Sequence, residues 1–190
     1  YMNEVIGEGT YGCVHKPSLK CKYKKNINYD GKISKIMEKE EATNELLEYK
    51  KIKRADKHKD FYLGKPLDCN PKKTKKSMKA IDKCNDFKGK NIDDYKLLIM
   101  NDGGLSLEHF GEKIKKGEKT LKDIEMFFIE AHRLLYGLLQ MKEYGLIHHD
   151  LKPQNIVYNC DKNRINFIDF GMMTEVNEVV DDAKNNNYSL

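Results

Sequence analysis

The chain has 190 residues and contains no tryptophan, four prolines and three arginines (Arg54, Arg133 and Arg164). Lysine therefore carries nearly all of the basic charge, and the net charge is +5. Sequence-reading nucleic-acid surfaces use arginine forks with aromatics between the charges. Three arginines are too few for such forks, so the lysines are expected to be solvated surface and nucleic acid is not an expected partner. No apolar run approaches the roughly 20 residues that span a bilayer, and no signal peptide is expected. The five cysteines form no CxxC pair. Reduced thiols in a cytoplasmic protein are the expectation, with Cys69 and Cys84 the pair to consider in an oxidising compartment. With 39% hydrophobic residues the chain can bury a core, and its length suits one or two domains.

Residues 1–36 alternate short apolar runs with glycines, a pattern of strand, glycine turn, strand, polar loop and strand. From Glu38 to Arg54, Ala42, Leu46, Tyr49 and Ile52 follow helical spacing. Residues 55–90 are lysine-rich with few core formers, which predicts a mobile surface insertion around one short strand near Phe61 to Leu63. Tyr95 to Met100 reads as a buried strand ending at Asn101 to Gly104. A short helix over 106–116 and a longer one from Thr120 to Tyr144 follow. Thr120 and Asp123 form a candidate capping box, and Gly145 is a natural stop. Two short strands near 156–158 and 164–168 make a hairpin.

The chemistry concentrates in IHHDLKPQNIVYN (147–159) and INFIDFG (165–171). Phosphoryl transfer passes through a loose transition state, so catalysis is mostly positioning and charge neutralisation. Asp150 suits a base that takes the proton of an attacking hydroxyl, and Lys152 a cation that steadies the transferring phosphate. Asn155 and Asp169 supply oxygens for Mg²⁺. Upstream, Gly7-Glu8-Gly9-Thr10-Tyr11-Gly12-Cys13-Val14 is G-x-G-x-x-G-x-V, whose glycines let backbone N–H groups approach phosphate oxygens. Dinucleotide-binding folds carry the same glycines between a strand and a helix, whereas here a second strand follows.

Together these segments resemble eukaryotic-type Ser/Thr protein kinases, whose patterns are H-R-D-L-x-x-x-N and D-F-G. The details are similar to those of divergent kinases of giant DNA viruses, which adds a host cell or virion as an expected location. The resemblance implies an α+β, two-lobed fold: an antiparallel small lobe over 1–100 and a mainly helical large lobe over 101–190. It implies ATP and Mg²⁺ as cofactors and a protein with a Ser or Thr hydroxyl as substrate. Ile6 and Val14 would cover the adenine. Lys35 would anchor the phosphates, with Lys32 the other candidate, and Glu45 would orient it, with Glu41 and Glu48 a turn away. Ile99 or Met100 would be the gatekeeper, and Asp102 would reach the ribose or cap its loop.

Two departures stand out. His149 replaces the H-R-D arginine that pairs with a phosphorylated activation loop in kinases that carry it. No A-P-E follows Gly171, so the chain is expected to be a piece of a longer kinase. A scaffold without turnover and a kinase of small molecules are the competing expectations.

Overall fold

The computed structural model describes residues 3–9, 12–24, 26–87 and 89–185. Thr10 and Tyr11, two of the expected nucleotide-binding residues, lie outside them. The chain forms two compact units, residues 1–46 with 65–102 and residues 47–64 with 103–190. The stretch 47–64 thus belongs with the later residues, which a single cut near 100 does not anticipate.

In the first unit, β1 (Glu4–Gly9), β2 (Gly12–Lys16), β3 (Lys32–Glu38), β4 (Leu67–Cys69) and β5 (Tyr95–Asn101) form an antiparallel sheet in the order β1-β2-β3-β5-β4. Opposed residues share a face, so one row runs Gly7, Val14, Lys35, Leu98 across four strands. On that face Met37 and Leu98 pack with Ala42 and Leu46 of helix α1 (Lys39–Ala55).

The other face carries Cys13, Ile36, Leu97 and Ile99, and it is covered by the segment expected to be a mobile insertion. Ala80, Ile81, Cys84 and Phe87 are buried there, with Ile92 just after the segment, and helix α2 (Lys75–Ile81) is capped by Thr74. The expectation fails because several of the few apolar residues in this stretch turn to the sheet. Its lysines (72, 73, 75, 76 and 79) take the exposed side.

The expectation of reduced thiols fails as well. Cys13 is bonded to Cys84 and Cys21 to Cys69, so Cys69 and Cys84 take different partners. All four sulfurs are buried where the covering segment meets the sheet. Cys160 is a free cysteine.

In the second unit the carboxylate of Asp56, itself buried, accepts the backbone N–H groups of Asp60, Phe61 and Tyr62. That turn sends Phe61 and Tyr62 inward to Phe167, Phe170, Met141 and Met173. Strand β6 (Leu105–Ser106) joins β8 (Ile156–Asn159) and β9 (Arg164–Phe167) in a three-stranded sheet. Gly104 has φ of 90° and lies so close to β8 that a Cβ there would stand 2.3 Å from the Tyr158 carbonyl oxygen, so only glycine fits. Helix α3 (Leu107–Lys115) is capped by Ser106. The expected long helix is two, α4 (Leu121–Glu130) with the Thr120/Asp123 capping box and α5 (His132–Glu143). They part at Ala131, where buried Glu130 accepts from Arg133 and Arg133 donates to the Asp60 carbonyl. Strand β7 (Leu146–Ile147) pairs with β10 (Thr174–Glu175), and α6 (Val176–Lys184) follows. No described helix is long and apolar enough to cross a membrane.

Candidate functional site

In the first unit the glycine turn is the connection of β1 to β2, followed by a strand and not a helix. Gly12 is required by close approach. A Cβ on it would lie 2.9 Å from the Ile36 carbonyl oxygen and 3.0 Å from Cε of Lys35, whereas one on Gly9 would meet nothing within 4 Å among the described residues. Gly12→Ala should therefore displace the Lys35 stem and cost about 1–3 kcal/mol through overpacking. Gly9→Ala serves as the silent comparison, and thermal melts of the two variants check the contrast.

Lys35 extends from the middle of β3 to Glu45 on α1, with Nζ 2.6 Å from Oε2. Both groups are largely shielded, at 15% and 6% side-chain exposure. Low dielectric strengthens such a pair but also makes each partner dependent on the other. Lys32, the other lysine candidate, bonds the Asn101 side chain at the end of the sheet, and Glu48 faces Lys51 at 3.1 Å. Val14 stands beside Lys35 in the register. Ile6 is exposed at the irregularity between Val5 and Gly7, where β1 loses register with β2. Met100 lies on the Lys35 face, opposite Ile33 and packed with Met37 and Leu98, whereas Ile99 is in the core on the opposite face. Asp102 makes an ion pair with Lys16 at 2.6 Å, and its N–H donates to the Gly31 carbonyl. Glu8 accepts from Asn85.

In the second unit the loop from His148 to Asn155 is tied together by its own polar groups. Asn155, buried at the end of a short 3₁₀ turn begun by Pro153, donates from Nδ2 to the Asp150 carbonyl at 2.9 Å and to Asp150 Oδ2 at 2.8 Å. Lys152 Nζ is 2.8 Å from the same carboxylate oxygen. The Lys152 hydrogen bond, with a smaller contribution from Asn155, holds the Asp150 carboxyl below the usual carboxylate range. The same contact raises Lys152. The Asp150 carboxylate is thus ionised at neutral pH.

Asp169 follows β9 at the head of the D-F-G residues, and the Ile168 N–H donates to the Asn155 carbonyl at 3.0 Å. This bond sets the stretch leading to Asp169 beside the stretch leading to Asn155. His148 lies beneath, buried, with Nε2 3.2 Å from the Ile168 carbonyl and its ring 5.3 Å from that of Phe170. Burial lowers its pKa, so it is a neutral prop at pH 7. Asp169 and His149 both have φ of 60°. Non-glycine residues in this region cost about 1–3 kcal/mol each and cluster at functional sites. His149 Nε2 meets the Thr174 hydroxyl at 2.6 Å.

Mg²⁺ prefers hard oxygen donors, and the residues present fit it. Because Asn155 turns its NH₂ group to Asp150, its carbonyl oxygen is the half that would serve as a ligand, alongside the carboxylate of Asp169.

The sequence missed three participants. Asn85 at Glu8, Lys16 at Asp102 and Thr174 at His149 are contacts of 77, 86 and 25 residues' separation, and no local pattern announces them.

Comparison with known proteins places this geometry. The family described as ABC1 atypical kinase-like domain matches residues 105–186, less than half of the chain. The serine/threonine-protein kinase prpf4B of Dictyostelium discoideum is 40% identical over 50 residues, covering 26% of this chain and 6% of that protein. The serine/threonine-protein kinase/endoribonuclease IRE1 of Hypocrea jecorina is 32% identical over 72 residues, 36% of this chain and 5% of that protein. The chain spans only about a twentieth of the length of these curated relatives. These partial matches make the chain similar to kinase-like proteins, and its architecture is mixed α+β with an antiparallel sheet.

Proposed function

We propose that the chain supplies the ATP site and catalytic loop of a protein kinase that phosphorylates Ser or Thr hydroxyls. The observation that carries this reading is the Asp150 carboxylate, held ionised and fixed by Lys152 and Asn155. Asp150 orients the acceptor hydroxyl and takes its proton at Oδ. Lys152 balances charge on the transferring group, and Lys35, oriented by Glu45, binds the nucleotide phosphates. Asn155 and Asp169 would hold Mg²⁺, which when bound neutralises the phosphate oxygens. The D-L-K-P sequence at 150–153 favours Ser/Thr acceptors.

The test is γ-phosphoryl transfer by the full-length protein with Mg-ATP, offered proteins in one arm and small hydroxyl compounds in the other. Transfer to protein Ser or Thr supports the reading. The match to an atypical kinase-like family favours a small-molecule acceptor as the second reading, and transfer confined to that arm would establish it. Nucleotide binding without transfer in either arm indicates a scaffold.

The reading also predicts how activity responds to phosphorylation. Where an arginine would bring a fixed charge to a phosphorylated loop, His149 makes a hydrogen bond to a hydroxyl. Phosphatase treatment should leave the rate unchanged, and a clear loss of activity would count against this.

A further inference from the structure

We infer that Cys84 and Asn85 form a clasp that positions the glycine-rich turn, making Asn85 a positioning residue for nucleotide binding. The inference rests on the nucleotide role proposed for that turn. A turn carrying three glycines loses much conformational entropy when ordered over a ligand, so anything that orders it beforehand favours binding. Both limbs are held here from one place. On β1, the Glu8 carboxylate accepts the backbone N–H of Asn85 and, at 2.9 Å, its side-chain amide. On β2, Cys13, the residue after Gly12, is bonded to Cys84, with Cα atoms 6.2 Å apart. A third tie lies two residues further along β2, where buried His15 has Nε2 3.2 Å from the Ala80 carbonyl and 3.6 Å from Sγ of Cys84.

The clasp itself is anchored. The Cys84 N–H donates to the Ile81 carbonyl, and the Phe87 ring packs at a tilt against Tyr95, centroids 4.9 Å apart, within the core of the first unit. A surface insertion without function has no need to grip both limbs of a turn through adjacent residues. The second disulfide, Cys21–Cys69, belongs to the same unit but bonds neither limb, and so provides an internal control.

The experiment compares full-length wild type with Asn85→Ala, Cys84→Ser and Cys69→Ser, measuring KM for ATP, kcat, binding of a fluorescent ATP analogue and thermal midpoint. Asn85→Ala should weaken analogue binding and raise KM about three- to tenfold with kcat little changed, the loss of one hydrogen-bonding side chain to a carboxylate. Cys84→Ser should do the same with a lower thermal midpoint. Cys69→Ser should lower the midpoint alone. Wild-type affinity in Asn85→Ala overturns the clasp, and that variant decides the matter if Cys84→Ser does not fold. A KM rise in Cys69→Ser as large as that in Cys84→Ser also overturns it, since general loosening would then explain both. Failure of the wild type to bind the analogue sinks the nucleotide reading and the clasp with it, an outcome distinct from equal binding by all the variants.

Discussion

Asp150→Asn is expected to lower phosphoryl transfer by the full-length protein about 10²- to 10⁴-fold, the usual contribution of a positioned base, while the protein folds and binds nucleotide as before. The substitution is nearly isosteric, and an amide oxygen can still accept from Asn155 Nδ2, which now donates to Asp150 Oδ2 at 2.8 Å. What disappears is a carboxylate kept ionised by Lys152. Initial rates with labelled ATP, beside a melt and a nucleotide titration, check it. A rate close to wild type with binding intact would remove Asp150 from the base role.

Lys152 carries a dependent expectation whose sign follows from the same contact. Its ammonium depresses the Asp150 pKa, so Lys152→Ala should move that pKa upward toward the ordinary value near about 3.9. Titration of a ¹³C-labelled carboxyl by NMR reads this directly, and a downward move would contradict it.

Lys35→Met is expected to have the largest effect on stability. It leaves Glu45, which is 5% exposed, as a buried carboxylate without its 2.6 Å ammonium partner. Breaking a buried pair from one side costs about 3–5 kcal/mol, because the remaining charge stays desolvated after its close ammonium is removed. Replacing both partners with apolar residues of similar volume is often neutral. The double variant Lys35→Met/Glu45→Leu should therefore recover most of the lost stability while nucleotide affinity stays lost. Chemical denaturation of wild type, both single variants and the double variant forms a closed cycle. Equal destabilisation by the single and the double variant would mean that the pair is not the source of the loss. Recovery of nucleotide affinity in the double variant would remove Lys35 from phosphate binding.

Several elements could be read directly from residue order because their causes are local. The run YKLLIM is β5, the Thr120/Asp123 capping box opens a helix, and Gly145 follows the end of one with φ of 63°. The separation of Asn155 from Asp169 by a hairpin was equally clear, since two short apolar runs flank the polar tip at 159–163. The stretch 55–90, expected to be a mobile insertion, misled for a physical reason. A cover over a sheet face needs only one apolar residue per turn or so, and averaging Ala80, Ile81, Cys84 and Phe87 with their lysine neighbours hides them. Phe61 and Tyr62 were placed inside by the Asp56 turn, and such a turn has no hydrophobic period.

The same division applies to the candidate site. Asp150, Lys152, Asn155 and Asp169 are named by their spacing, because a loop that closes on itself within a few residues is specified by those residues. Choosing among Lys32, Lys35, Glu41, Glu45 and Glu48 required the register of β3 against β2 and β5 and the pitch of α1. The cysteine partners likewise depended on which face of the sheet the covering segment takes. Residue order determined the chemistry available to this protein, since reactive groups act over a few ångströms and most of these lie within one loop. The tertiary structure alone decided which distant groups hold that chemistry in place, because pairs such as Glu8 and Asn85 meet only once the core beneath them has closed.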